Sequence, residues 1–273
     1  MIRCSVTVSL VPEVRGGPFV FWDDLASVCA RAKALGFDGI EIFPPSPDAI
    51  NVSQVRRLLD DNGLSLAAIG TGAGWVKHKL HLALPEAEKR LQARAFIRSI
   101  IDVAGELQTP AIIGSMQGRW GDGIEQEAAL AKLTDALNEL GEHASRYNVP
   151  LLFEPLNRYE TNMVTNIEAG LKLLDRLSTN NVRLLADLFH MNIEEANSAA
   201  ALKRGGSRIG HVHFVDSNRR PAGLGHIDYA PIARALNEIG YSGFLSAEAL
   251  AYPNSDEAAQ QTITAFRKYF RPV

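Results

Sequence analysis

The sequence predicts a single (β/α)8 barrel of the α/β class over residues 1–273, and three observations carry the prediction. Eight short apolar runs recur along the chain, longer amphipathic patterns separate them, and no low-complexity linker interrupts the alternation. Near-continuous apolar strands alternating with helices imply a parallel sheet covered by helices on its faces. Eight such units close on themselves as a barrel, and 273 residues is an ordinary length for one.

The strand candidates in order are "RCSVTVSL", "GIEIF", "LSLAAI", "AIIG", "LLFE", "VRLLAD", "IGHVHFV" and "FLSAE". Each is rich in Val, Ile, Leu or Phe, the residues that fit a pleated, buried surface. Helical periodicity predicts helices over 21–35, 53–62, 85–107, 124–147 and 255–270, among others. "ALGFDG" and "EIGYSG" place a glycine just past an apolar-periodic run and then launch a strand, as helix C-termini favour. An open doubly wound sheet is the competing topology. Its glycine signature would open the first βα unit, whereas "IGTGAGW" follows the third strand with G-x-G-x-G spacing and reads as a flexible loop over a pocket.

Composition narrows the functional classes. A hydrophobic fraction of 46% describes a well-buried core, and a formal charge of −3 gives no polyanion-binding surface, so nucleic acid is not an expected partner. No apolar stretch reaches membrane-span length, and "MIRCSVTVSL" lacks the apolar core and cleavage site of a signal peptide. Cys4 and Cys29 have neither C-x-x-C spacing nor a framework pattern and read as reduced structural thiols. The expectation is a cytoplasmic protein acting on a small molecule, with no membrane partner.

In this fold the chemistry sits at the C-terminal ends of the strands. Four of the last five strand segments carry chemistry-bearing residues there: Glu154 ends "LLFE", Asp187 ends "VRLLAD", His211 and His213 lie in "IGHVHFV", and Glu248 ends "FLSAE". A period of two puts His211 and His213 on one face and Val212 and Phe214 on the other. The apolar pair faces the helices, so both histidines turn into the barrel, His213 nearer the mouth.

Taken singly, each residue has an ordinary structural use. Glu154 before a proline can end a strand, Asp187 can cap the following helix, and a buried histidine is often just a satisfied core residue. Together, three carboxylates and an imidazole converging from successive strands would repel one another unless a cation neutralised them. Two Glu, one Asp and one His suit one divalent ion of the Mn²⁺, Mg²⁺ or Co²⁺ kind, with Zn²⁺ also compatible.

"FEPLNRYET", "ADLFHMNI", "HVHFVDSNR", "GLGHIDY" and "SAEAL" together resemble the sugar isomerase and epimerase branch of the xylose isomerase-like barrels. The nearest resemblance is to the ketose 3-epimerases acting on D-tagatose and D-psicose. It is close through the C-terminal half and rests mainly on element order in the N-terminal half. It implies one metal held by Glu154, Asp187, His213 and Glu248, with Glu160, His190 and Arg219 on substrate hydroxyls. It allows a homodimer or homotetramer.

Inverting a carbinol beside a ketone means removing a weakly acidic C–H proton and stabilising the enediolate before a proton returns to the other face. Glu154 and Glu248 are the candidate proton-transfer groups. Arg219 reads either as an exposed loop cation or as a stabiliser of the enediolate. The loop "GSMQGRWGDG" brings Gln117, Arg119 and Trp120 to the same end, with Trp120 as an apolar wall over a sugar or packed on its own loop. His78 and His81 in "KHKLH" read as solvated residues at a helix start.

Two loops, "GTGAGWVKHKLH" and "GSMQGRW", do not match those of the characterised ketose epimerases, which leaves both the sugar and the reaction open. Related barrels isomerise hydroxypyruvate or dehydrate 2-keto-myo-inositol with similar metal sets. AP endonucleases share the barrel but need further histidines that "EIFPPSP" and "AAIGTGAG" do not supply.

Overall fold

Eight parallel strands pair in sequence order, and β1 (Arg3–Ser9) closes the sheet by pairing with β8 (Phe244–Ala247). Between them run β2 (Gly39–Phe43), β3 (Ser65–Gly70), β4 (Ala111–Ile113), β5 (Leu151–Phe153), β6 (Val182–Asp187) and β7 (Ile209–His213). The computed structural model describes residues 1–121 and 123–271. The connections are α1 (Leu25–Leu35), α2 (Val52–Asn62), the pair α3 (Ala73–His78) and α4 (Ala87–Glu106), then α5 (Gln126–Ser145) and α6 (Ile167–Leu174). After β6 come α7 (Leu188–Glu194) and α8 (Ser198–Gly205), then α9 (Tyr229–Glu238), and α10 (Ser255–Phe270) follows β8. Among the described residues no helix is long and apolar enough to cross a membrane.

The boundaries follow local chemistry. Helix α1 begins at Leu25 rather than at the periodic Phe21, because Phe21 pairs with the backbone of Thr7 and Ser9 and Asp24 caps the helix by accepting the Ser27 N–H. It ends at Gly36, whose φ of +88° is the left-handed C-terminal geometry that glycine adopts without a Cβ clash. The segment "IGTGAGW" corrects the expectation of a flexible loop: it runs from the end of β3 into α3. A Cβ on Gly70 or on Gly72 would stand 2.8 Å from the Phe43 ring, so these glycines let an aromatic side chain lie flat against the backbone.

The strand alternation builds two environments. Ala111, Ile113, Leu151, Phe153, Leu184 and Ala186 join the main core under the helices. Their neighbours Ala68, Ile112, Leu152 and Leu185 form a separate small cluster inside the barrel. On β7, β8, β1 and β2 the outward positions Val212, Leu245, Val6 and Ile40 belong to the main core. The alternate positions on those strands are polar and equally buried: His211, Ser246, Ser5 and Glu41. The barrel interior is therefore apolar along one half and polar along the other, and the polar half leads up to the mouth.

Candidate metal centre at the carboxyl end of the barrel

Each donor reaches the mouth because a strand ends there. Glu154 follows β5, with its N–H donating to Ile113 and its carbonyl accepting from the Gln117 side chain at 3.0 Å. Its Oε2 lies where a side chain on residue 114 would collide, so Gly114 leaves the room that this carboxylate uses. Asp187 ends β6 and divides its oxygens. Oδ1 accepts the N–H groups of Phe189 at 2.7 Å and His190 at 3.0 Å, capping α7, while Oδ2 points at His213. Glu248, one residue past β8, is held by Arg219 Nη2 at 3.0 Å.

The set converges on one ring nitrogen. His213 Nδ1 stands 3.1 Å from Asp187 Oδ2, 3.3 Å from Glu154 Oε1 and 3.6 Å from Glu248 Oε2. One imidazole nitrogen carries at most one proton, so it satisfies at most one of three carboxylates. Glu154 Oε1 is buried without a hydrogen-bond partner among the described residues. The four donor atoms lie within 4.8 Å of one another, and three oxygens with one nitrogen match the donors that hard divalent cations take. Glu154, Asp187, His213 and Glu248 thus form a candidate metal-binding site.

The electrostatics show the same crowding. Burial raises the Glu248 carboxyl, and the Glu154 and Asp187 charges add to it against His213 and Arg219, leaving its pKa at about 8. For His213 burial works against the cation, but the charges of Glu248 and Glu41, the hydrogen bond to Asp187 and the Glu154 carboxylate 3.3 Å away raise it well above its ordinary value. Burial also opposes ionisation of Asp187, yet the hydrogen bond and charge of His213, with the Arg219 charge, hold it well below the usual carboxylate range.

Around this set lies a cavity of about 550 Å³, whose lining includes Glu160, His190 and Arg219. His190 Nδ1 accepts from Asn157 twice, from its side-chain nitrogen at 2.7 Å and its backbone N–H at 3.3 Å. The Asn157 orientation is fixed because its Oδ1 accepts the Tyr159 N–H at 2.9 Å. The neutral ring proton of His190 therefore sits on Nε2, which is buried, unpartnered and 3.9 Å from Glu154 Oε1. Arg219 bridges Glu160 at 2.9 Å and Glu248 at 3.0 Å, with its guanidinium 4.7 Å over the Phe189 ring. It is a braced cation at the cavity wall and not a solvated loop residue.

Three expectations need correction. Gln117 is fully buried and outside the cavity, where its side chain ties the Glu154 carbonyl to the Val164 N–H. Trp120 also stands outside the cavity lining, 39% exposed, because Asn162 accepts its indole N–H at 2.7 Å and holds the ring at the rim. His78 is exposed as expected but ends α3 rather than starting a helix, whereas His81 is half-buried in the cavity wall beside Trp75, 5.7 Å between ring centroids, and burial lowers its pKa. Sequence reasoning passed over Glu41 altogether. It is 5% exposed and bridges His213 at 3.1 Å and His211 at 2.8 Å. An acid flanked by isoleucines in "GIEIF" was the available signal.

The family model described as a xylose isomerase-like TIM barrel matches residues 29–269. The D-psicose 3-epimerase of Ruminiclostridium cellulolyticum is 27% identical over 237 residues, 82% of this chain and 80% of the relative. The 3-dehydro-D-guloside 4-epimerase of Escherichia coli is 27% identical over 224 residues, 78% of this chain and 82% of the relative. A crystal structure of D-psicose 3-epimerase in the presence of D-fructose superposes with a TM-score of 0.82 at 21% identity, covering 99% of this chain and 100% of that one. That likeness concerns the fold.

Proposed function

The chain belongs to the xylose isomerase-like TIM barrel family, and from that premise we propose that it is a divalent-metal-dependent sugar epimerase, specifically a ketose 3-epimerase. The observation that carries the reading is the meeting of Glu154 and Glu248 in one cavity, on a shared candidate metal site and beside the His190 Nε2 donor. The relatives support it: the names D-psicose 3-epimerase and 3-dehydro-D-guloside 4-epimerase both describe inversion of a carbon next to a ketone. The ion is of the Mn²⁺, Mg²⁺ or Co²⁺ kind, and the enzyme works in the cytoplasm.

The residues divide the work. One glutamate takes the C–H proton from the carbon beside the carbonyl, and the other, carrying a proton, delivers it to the opposite face. The two protonation states are then exchanged, so the reverse reaction uses the same pair. With Oε1 turned to the candidate ion site, Glu154 offers its second oxygen, Oε2, which lies over Gly114, as the proton acceptor. Glu248, with its pKa at about 8 when no ion is bound, is readily protonated. His190 Nε2–H donates to a substrate oxygen, and Arg219 stabilises negative charge on that side of the cavity. A divalent ion held by Glu154, Asp187, His213 and Glu248 would supply Lewis acidity, stabilising the charge that develops when the proton leaves.

The test is incubation of the ion-loaded protein with a panel of free ketoses in heavy water, with products identified by NMR. The expected result is a C3 epimer carrying deuterium at the inverted carbon. Full retention of the substrate hydrogen would indicate hydride transfer, an aldose product would indicate an isomerase, and loss of water would indicate a dehydratase. Any of these replaces the epimerase reading.

A further inference from the structure

We infer that Glu41 is a positioning residue for the metal centre: it holds His213 with Nδ1 turned to the ion and Nε2 turned away, and His211 in turn holds Glu41. The inference rests on the metal reading above. Glu41 sits in the third position of β2, across the barrel from β7, and both its oxygens are committed. Oε1 is 3.1 Å from His213 Nε2, and Oε2 is 2.8 Å from His211 Nε2. The two imidazoles are nearly perpendicular, with 87° between planes and 5.6 Å between centroids, so each reaches a different oxygen of one carboxylate. All three residues are at most 5% exposed.

The chemistry follows from the ring. A neutral imidazole has one N–H and one lone pair, and whichever nitrogen donates leaves the other to coordinate. By accepting from Nε2, Glu41 puts the lone pair on Nδ1, the atom that faces Glu154, Asp187 and Glu248. Its negative charge also makes His213 a stronger donor. Without Glu41 the ring is free to turn about its Cβ–Cγ bond and present carbon to the ion.

Glu41, His211 and His213 also lie within metal-ligand reach of one another. Their separations of 2.8 and 3.1 Å are ordinary hydrogen-bond lengths. An ion there as well as at the mouth would require His213 to give a nitrogen to each and lose its ring proton. A single ion leaves each histidine its proton and Glu41 two donors.

The experiment is a Co²⁺ titration of the ion-free full chain, reading affinity by chelator competition and geometry from the visible spectrum. Glu41→Gln keeps the size but offers one acceptor oxygen, and Glu41→Asp keeps the charge but is one methylene short. Both are expected to raise the Co²⁺ dissociation constant by roughly tenfold to a hundredfold and to alter the spectrum. His211→Asn, which leaves the Glu41–His213 contact, should do so by less. Should Glu41→Gln fail to fold, Glu41→Asp and His211→Asn carry the test through the same readouts. Wild-type affinity and spectrum in every folded variant overturn the inference while the metal reading stands. A wild type that takes up no Co²⁺ overturns the metal reading itself, and this inference with it.

Discussion

Asp187 faces two ways: its Oδ2 is 3.1 Å from His213 Nδ1, while its Oδ1 accepts the first free N–H groups of α7 at 2.7 and 3.0 Å. The helix cap and the candidate ligand are the same side chain, and two substitutions separate the roles. Asp187→Asn keeps an oxygen for the cap but loses the charge, so ion content measured by elemental analysis should fall, and the ion-free melting temperature should drop only by what the charge contact with His213 contributes. Asp187→Ala should lose both, with about 1 kcal/mol less stability from the missing cap. Full ion occupancy in Asp187→Ala would remove this residue from the ligand set.

The barrel was legible because each strand is an apolar run and each turn is punctuated, as at Gly36. The donors at strand ends were legible for the same reason, since a charge ending an apolar run is conspicuous. Glu41 was not, because it sits inside its run, where its partners come from β7. The directions of Gln117 and Trp120 were hidden too: they are set by Val164 and Asn162, more than forty residues away in the chain. Sequence placed both at the right end of the barrel but not the way their side chains turn.

A pH dependence follows from Glu248. Its pKa in the ion-free folded protein is about 8, against an ordinary 4.5. A carboxyl raised on folding stabilises the fold below its unfolded value and loses that contribution as pH climbs through 8. His213, also raised, acts in the same direction, with its contribution complete below 6.5. Asp187 and Glu41 are depressed, so theirs is present above their unfolded values of 3.8 and 4.5 and steady in this range. The ion-free melting temperature should therefore fall between pH 7 and 9. An ion needs Glu248 ionised and the His213 Nδ1 proton removed, so uptake should release up to two protons and tighten by up to about a hundredfold per pH unit below pH 8. Calorimetry in buffers of different ionisation enthalpy counts those protons, and a pH-independent affinity would contradict the assignment.

Gly114 offers a steric probe of Glu154. A Cβ there collides with Glu154 Oε2, and the residue's ψ of −95° is unusual for alanine. Gly114→Ala should displace the carboxylate and lower kcat by roughly a hundredfold, the scale of a misplacement near 1 Å. Wild-type turnover in this variant would mean that Glu154 has room to move without consequence.

The two glutamates provide the sharpest separation of an epimerase from a one-base enzyme. Their surroundings differ: Arg219 holds Glu248 at 3.0 Å, whereas Glu154 Oε1 has no hydrogen-bond partner. An epimerase still needs both, because each serves one face of the substrate plane and their roles exchange with direction. Glu154→Gln and Glu248→Gln each keep an amide oxygen for the ion, so part of the ion content should survive. Net turnover in each should drop by at least about a thousandfold in both directions, roughly 4 kcal/mol of transition-state stabilisation. Exchange of one substrate hydrogen with solvent can persist in either variant, since the remaining glutamate still serves its own face. In an isomerase, which moves a proton between adjacent carbons on one face, or a dehydratase, which expels hydroxide, one glutamate can be far less important. Near-wild-type turnover in either glutamine variant with its ion bound would therefore exclude the two-base mechanism and leave a one-base isomerase or lyase.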